Sequence, residues 1–326
     1  MAEVPTTSLR AEQYLAPETL AQLAPFELRA KRIAEGLMNG MHVSPRKGSA
    51  TDFASHRQYV SGDSVRHVDW KVFARSDKLQ VKQFQQETNL NVVVLVDGSA
   101  SMQFGTLTTK SGWGGTKAQR GRNVWTKYDH ATAIAAAISF LALRQRDQVG
   151  LGIFADGIRS GVRRSGSNDH WRSVVRCLAS DPVDAAVSWE RVADQAVSQN
   201  SQQTLFIIIS DFLAPPAVVQ SALSRIGHRG HDVILVTVLD RAERTFNIDV
   251  DAAFVGLEGE PKLEVETRKI RSAYLDELAK HLADMDRIAR NFRFDMEVFD
   301  SHESVGPILS SLLARREAIL RRRVRG

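Results

Sequence analysis

Apolar residues along the chain fall into short continuous runs set between segments of helical period. Val92-Val-Val-Leu-Val96, Leu205-Phe-Ile-Ile-Ile209 and Val233-Ile-Leu-Val-Thr-Val-Leu239 are the clearest runs. Unbroken apolar runs of this length mark strands covered on both faces. Val149–Phe154 reads as another strand, and Ile158–Arg163 pairs with it as a hairpin through Asp156-Gly157. Helical spacing fits Tyr128–Arg146, His170–Ala179, Trp189–Gln199, a helix opening after Pro215-Pro216, Arg268–Arg290 and Val305–Leu320. A small hairpin fits Ala252–Glu266, and a strand fits Phe292–Phe299. Strand and helix alternate from residue 91 onward, which predicts an α/β fold: a largely parallel sheet with helices on both faces.

The chain before residue 91 has a different texture. Residues 1–24 read as an N-terminal arm, and 25–88 as a separate N-terminal segment. That segment holds a helical pattern at Phe26–Met38, a structured loop from Asn39 to Ser64, and an alternating strand at Leu79–Phe84. The main α/β domain is expected over 89–314, followed by a basic tail at 315–326.

Charge and cysteine content narrow the classes. The formal net charge is +5. The last twelve residues hold six arginines against one glutamate, which accounts for the whole excess. The body is near neutral, so nucleic-acid binding through the tail stays a secondary reading. The single cysteine, Cys177, excludes an intrachain disulfide and suits a reducing compartment. It sits among Trp171, Val174, Val175 and Leu178, the pattern of a core thiol. The N-terminus lacks a basic region followed by an apolar one, and Ala131–Leu143 is too short to span a bilayer, so the expectation is cytoplasmic.

Sheets of this kind bind ligands beyond the carboxyl ends of their strands. Two apolar runs end there in aspartates, Asp97 and Asp211. Asp97 is followed by Ser99 and Ser101, so three oxygens can turn toward one point. Hard divalent cations take oxygen ligands, and Mg²⁺ uses few carboxylates and keeps waters. An ion held this way stays electropositive and accepts a carboxylate from another molecule. Helix caps and turns place Ser and Asp at the same corners, so the motif by itself is weak; its place after a buried strand strengthens it. Nucleotide chemistry fits poorly. Gly112-Trp-Gly-Gly-Thr-Lys117 lacks the phosphate-loop spacing, and Gly150-x-Gly152 lies inside a strand. Gly98-Ser-Ala-Ser is no nucleophile elbow. The nine histidines show no zinc spacing, and His228 and His231 read as solvated turn residues.

The stretch Phe53-Ala-Ser-His-Arg-Gln-Tyr-Val-Ser-Gly-Asp-Ser-Val-Arg-His-Val-Asp-Trp-Lys71 is distinctive. With Ala74-Arg75, Leu79–Phe84, Glu87 and Asp97–Met102, it closely resembles the signature of the bacterial domain of unknown function 58 family. The likeness continues through Ser210-Asp211 and Arg229-Gly-His-Asp. The resemblance implies a von Willebrand factor A-like domain whose metal site comprises Asp97, Ser99, Ser101 and Asp211. It also implies a hydroxyl from a further loop, where Ser188 stands nearest and the usual Gly-Thr-Asp context is missing. It implies an adaptor that works with a MoxR-type AAA+ ATPase on an unidentified client protein.

The expectation is therefore a non-catalytic, metal-dependent protein-binding adaptor using Mg²⁺, with Mn²⁺ or Ca²⁺ as substitutes. Arg57, Asp63, Arg66, Asp69 and Trp70 are candidate partner-docking residues; as a set they fit a charged structural network stacked on Trp70 at least as well. A metal-dependent phosphoryl hydrolase is the rival enzyme class. It wants a carboxylate where Ser99 stands.

Overall fold

The computed structural model describes residues 53–60, 68–84, 90–108, 124–167, 169–183, 185–247, 252–254 and 263–306. They divide into two units, one within 42–89 and the other from Leu90 onward. The predicted helices at 26–38 and beyond Gly306, the 1–24 arm and the basic tail lie outside the described residues.

The smaller unit pairs β1 (Phe53–Gln58) antiparallel with β2 (Gln80–Phe84), with a bulge between Phe53 and Ser55. This corrects the reading of 39–64 as loop. Between the strands lies a short helix, α1 (Trp70–Ser76). Asp69 caps it, accepting from the amides of Lys71 at 3.0 Å and Val72 at 3.3 Å. Asp77 closes it in the left-handed region, φ 54°.

In the larger unit the elements run β3 (Asn91–Asp97), β4 (Leu107–Thr108), β5 (Val124–Trp125), α2 (Lys127–Arg144), β6 (Gln148–Phe154), β7 (Ile158–Ser165), α3 (His170–Leu178) and α4 (Trp189–Ser198). They continue with β8 (Leu205–Ser210), α5 (Pro216–His228), β9 (Asp232–Leu239), α6 (Arg241–Thr245), β10 (Ala252–Phe254), β11 (Leu263–Val265), α7 (Thr267–Asn291) and β12 (Asp295–Asp300). Six strands form one sheet in the order β12-β9-β8-β3-β6-β7. All neighbours are parallel except β6 and β7. The α/β sheet expected from the apolar runs is thus present. β12 starts later than the apolar pattern implied, because α7 runs to Asn291 and Arg293 turns the chain at φ 60°.

The apolar runs serve two cores because strand side chains alternate. Val92, Val94 and Val96 of β3 join Leu205, Ile207 and Ile209 of β8 in a core beneath α2 and α3. Val93, Leu95, Phe206 and Ile208 face the other way, toward α4, α5 and α7. Each fully buried Val or Ile contributes about 1.5–3 kcal/mol. α2 is buried along nearly its whole length, and its alanines let it seat closely against the sheet. No helix among the described residues is long and apolar enough to cross a membrane.

Strand order fixes where a ligand belongs. From β3 the chain moves one way to β6 and β7, then returns to the opposite side for β8, β9 and β12. The direction reverses between β3 and β8, so the crevice at their carboxyl ends is the topological switch point. Val96 pairs with Ile209 there, which sets Asp97 beside Ser210 and Asp211.

Candidate functional site at the carboxyl ends of the central strands

The chain leaves β3 through Asp97 and turns into a short 3-10 segment, Ala100–Gln103. Gly98 makes the turn possible: a Cβ there would lie 2.8 Å from Ile153 Cγ2. Its amide donates to the Phe154 carbonyl at 2.7 Å, and its carbonyl accepts from the Val183 amide at 2.7 Å. The Ala100 amide donates to the Ala185 carbonyl at 3.2 Å. The loop after β3 is therefore clamped between the end of β6 and the 183–185 segment.

That clamping brings the expected oxygens together. Asp97 and Ser99 are fully buried. Asp97 Oδ1 accepts from the Ser99 amide at 2.9 Å, and Oδ2 accepts from Ser210 Oγ at 2.6 Å. Ser99 Oγ and Ser101 Oγ are 3.1 Å apart, hydrogen-bonded to one another. Adjacent oxygens of an octahedral Mg²⁺ shell stand about 2.9 Å apart, so the same pair fits two neighbouring ligand positions. Among the described residues, no cluster of three or more His, Cys, Asp or Glu is arranged to hold a metal ion. A cation here would rest on hydroxyls and one close carboxylate.

Asp211 has a partner that sequence reasoning missed. Lys127, the first residue of α2, is fully buried. Its Nζ donates to Asp211 Oδ2 at 2.9 Å and to Glu243 Oε1 of α6 at 2.6 Å. A lysine at a helix N-terminus opposes the helix dipole. Here Thr126 and Asp129 cap α2 reciprocally, and the two carboxylates supply the countercharge. Burial by itself would lower the Lys127 value, but the charges of Asp211 and Glu243 outweigh it and hold the ammonium above its ordinary range. Burial pushes the Glu243 carboxyl up, against the pull of Lys127.

The chain of polar contacts continues across the sheet. Glu243 also accepts from the Asp240 amide at 2.7 Å. Asp240, just past β9, accepts from the Thr106 amide at 3.0 Å and Ser301 Oγ at 3.0 Å. Asp300, at the end of β12, pairs with Arg241 at 3.0 Å. Four of the parallel strands thus end in or just before an aspartate. The strand-end rule that singled out Asp97 and Asp211 applies equally to Asp240 and Asp300.

Charge balance gives the site its chemistry. Three buried or nearly buried carboxyl groups, Asp97, Asp211 and Glu243, gather around the single ammonium of Lys127. Burial, then the Asp211 charge, pushes the Asp97 carboxyl up to about 7, against donation from Ser210 and Ser99. A divalent cation at the Asp97 loop would add positive charge. Asp97, Ser99 and Ser101 would hold it; Asp211, engaged by Lys127, would reach it through water.

The other expected residues are placed as follows. Ser188 precedes α4, its amide donating to the Ala155 carbonyl at 2.9 Å. Its side chain lines a groove with Glu190, Arg191 and Asp194 along α4. Asp63, Arg66 and the Arg57 side chain lie outside the described residues. Asp69 serves as the α1 cap, and Trp70 is 56% exposed with its ring edge-on to Phe73. His231 is a correction: it is buried, accepts from the Thr204 amide at 3.2 Å and meets Phe206 edge-on. Cys177 packs against the α2 core but is only half-buried, short of the enclosed core thiol expected, and burial pushes its thiol up.

Comparison with known proteins places these residues in a family. The model of "Protein of unknown function DUF58" matches residues 55–284. The chain belongs to this family. It is 30% identical over 227 residues to the uncharacterized protein Mb1516 of Mycobacterium bovis, a match covering 69% of this chain. The uncharacterized protein Rv1480 of Mycobacterium tuberculosis matches equally. The matched chain spans 66% of the length of these relatives. Among solved structures, a conserved hypothetical protein BatB from Bacteroides thetaiotaomicron is similar at 15% identity and a TM-score of 0.39, over 65% of this chain and 91% of that one. An aerotolerance-related membrane protein from Bacteroides fragilis is similar at 16% and 0.40, over 66% and 93%.

Proposed function

We propose that this protein is a non-catalytic, cation-dependent protein-binding adaptor built on a von Willebrand factor A-like domain. The carrying observation is the buried loop after β3. It gathers the oxygens of Asp97, Ser99 and Ser101 at the switch point of the sheet, in a cluster short of positive charge. Mg²⁺ is the expected ion, with Mn²⁺ or Ca²⁺ as alternatives. Asp211 contributes through water, and Ser188 is the candidate for a further hydroxyl. A carboxylate of the partner completes the shell. A MoxR-type AAA+ ATPase is the expected partner and supplies the energy for work on a client protein. The site argues against a phosphoryl hydrolase, because Ser99 stands where that chemistry wants a second carboxylate.

Two measurements test the reading. Titration calorimetry with Mg²⁺ should show one site in the wild type and none in Asp97→Ala. Capture of a MoxR-type ATPase from the same organism should fail in EDTA and fail with the same variant. Mg²⁺ binding that survives Asp97→Ala would sink the cation site. Capture indifferent to both EDTA and the variant would sink the adaptor mechanism.

A further inference from the structure

β7 is the outermost strand of the sheet and pairs only with β6 among the described residues. On the α4 side, a groove of about 680 Å³ opens over these two strands. Its floor is low because β6 carries Gly150 and Gly152 there, beside Leu95 of β3. Its rim carries three arginines of β7: Arg159, Arg163 and Arg164.

The arginines differ in what they meet. Arg159 is paired with Asp156. Arg163 is exposed. Arg164 is drawn inward: a Cβ on Gly150 would lie 2.9 Å from its Cγ, so the glycine is what lets its stem lie across the sheet. Its Nη1 reaches only a neutral hydroxyl, Thr204 Oγ1, at 3.4 Å. Among the described residues no carboxylate meets Arg163 or Arg164. Sheet edges are often guarded by charge, inward-pointing charges included. Arg164 is half-buried without a counter-ion, and burial lowers its value. A partly desolvated cation of this kind is stabilised by an anion brought to it.

We infer that the β7 edge and its groove dock an extended acidic segment of a partner protein, added as a further strand with its carboxylates on Arg163 and Arg164. The edge, unpaired among the described residues, supplies main-chain hydrogen bonds, and the pleat turns alternate side chains of the added strand toward the groove. The low glycine floor leaves room for them. The eight residues of β7 set the length of the contact. This surface needs no cation and is independent of the Asp97 loop.

The probe is a fluorescein-labelled peptide alternating Glu with Val, read by anisotropy at low salt. Wild type binds it, and hydrogen exchange slows at the amides of Ile158–Ser165. The Arg163→Ala/Arg164→Ala double variant weakens binding about tenfold or more, and salt weakens it in the wild type. The double variant keeps its thermal midpoint, because no carboxylate loses a partner. A copy of the peptide with a central proline does not bind, since proline breaks the ladder. The inference is overturned if both proteins bind alike, if the proline copy binds as well, or if no binding is seen. A single-stranded oligonucleotide that binds without slowing exchange in β7 would mark a general polyanion surface and overturns it too.

Discussion

The ends of β3 and β8 hold two aspartates at nearly matching positions, on either side of the switch point, in opposite electrical circumstances. Asp97 is held by neutral donors, a serine amide and a serine hydroxyl. Asp211 is held by a buried ammonium. Both carboxylates are removed from water, and only one has its countercharge in place. Position in the fold therefore does not decide which aspartate has a countercharge; the neighbour contributed by α2 does. Asp97 meets only neutral donors, and Asp211 is the anchor of the ion pair.

Breaking the anchor should have the largest effect. Lys127→Met leaves Asp211 and Glu243 facing one another without a cation, and removing one partner of a buried pair costs about 3–5 kcal/mol. Urea unfolding should register that loss, with Mg²⁺ restoring part of it. A loss under about 1 kcal/mol would show that the ammonium carries no such weight.

α2 carries a further buried titratable group, which sharpens the contrast because it lacks a full countercharge. His130 is fully buried, its Nδ1 accepts from Trp125 Nε1 at 3.3 Å, and its Nε2 has no hydrogen-bond partner. Burial, only partly offset by the Asp300 charge, lowers its value from 6.5 to about 4. The folded state resists protonation that the unfolded chain accepts. Stability is thus complete above 6.5 and falls as pH drops through the window toward 4. The loss amounts to about 3 kcal/mol at most. Urea midpoints at pH 7.5 and 4.5 should differ by more in the wild type than in His130→Gln. An equal difference in both would assign the acid sensitivity elsewhere.

A smaller effect comes from neutralising each aspartate in turn. Asp211→Asn leaves Lys127 with Glu243 alone and should cost about 1–3 kcal/mol. Asp97→Asn removes a buried, uncompensated charge while keeping an acceptor for Ser210. Without added cation it should be neutral or stabilising by about 1 kcal/mol, and it should abolish the thermal shift produced by Mg²⁺. Equal losses from the two variants would erase the distinction drawn between them.

Much of this was legible before the structure. The double-faced apolar runs announce β3, β8 and β9, and the one or two residues past a run announce Asp97 and Asp211. Applied evenly, the same rule reaches Asp240 and Asp300. The rest depends on tertiary placement. Lys127 looks like any loop lysine, and its partners lie 84 and 116 residues away. Glu243 sits in a five-residue helix too short to show a period. β1 carries Ser, His, Arg and Gln, and only its pairing with β2 makes it a strand. His231 lies between a glycine and an aspartate and reads as solvated, yet the β8 entry needs its ring nitrogen for the Thr204 amide.

The smallest expected effect concerns how far the shell around the Asp97 loop extends. Ser188 is the expected extra hydroxyl, but the residues that clamp the loop are Val183 and Ala185. Ser188 makes no side-chain cap bond to α4 and lines the groove beside Glu190. Ser188→Ala should therefore change stability by under about 0.5 kcal/mol. It should also weaken Mg²⁺ binding less than Ser99→Ala does, because Ser99 is fully buried beside Asp97 and already bonded to Ser101. Calorimetry on the two variants separates the cases. An affinity within twofold of wild type for Ser188→Ala confines the shell to the loop after β3. A loss as large as that of Ser99→Ala would bring the 183–188 segment into the shell and make the cation site at Asp97 a property of both loops.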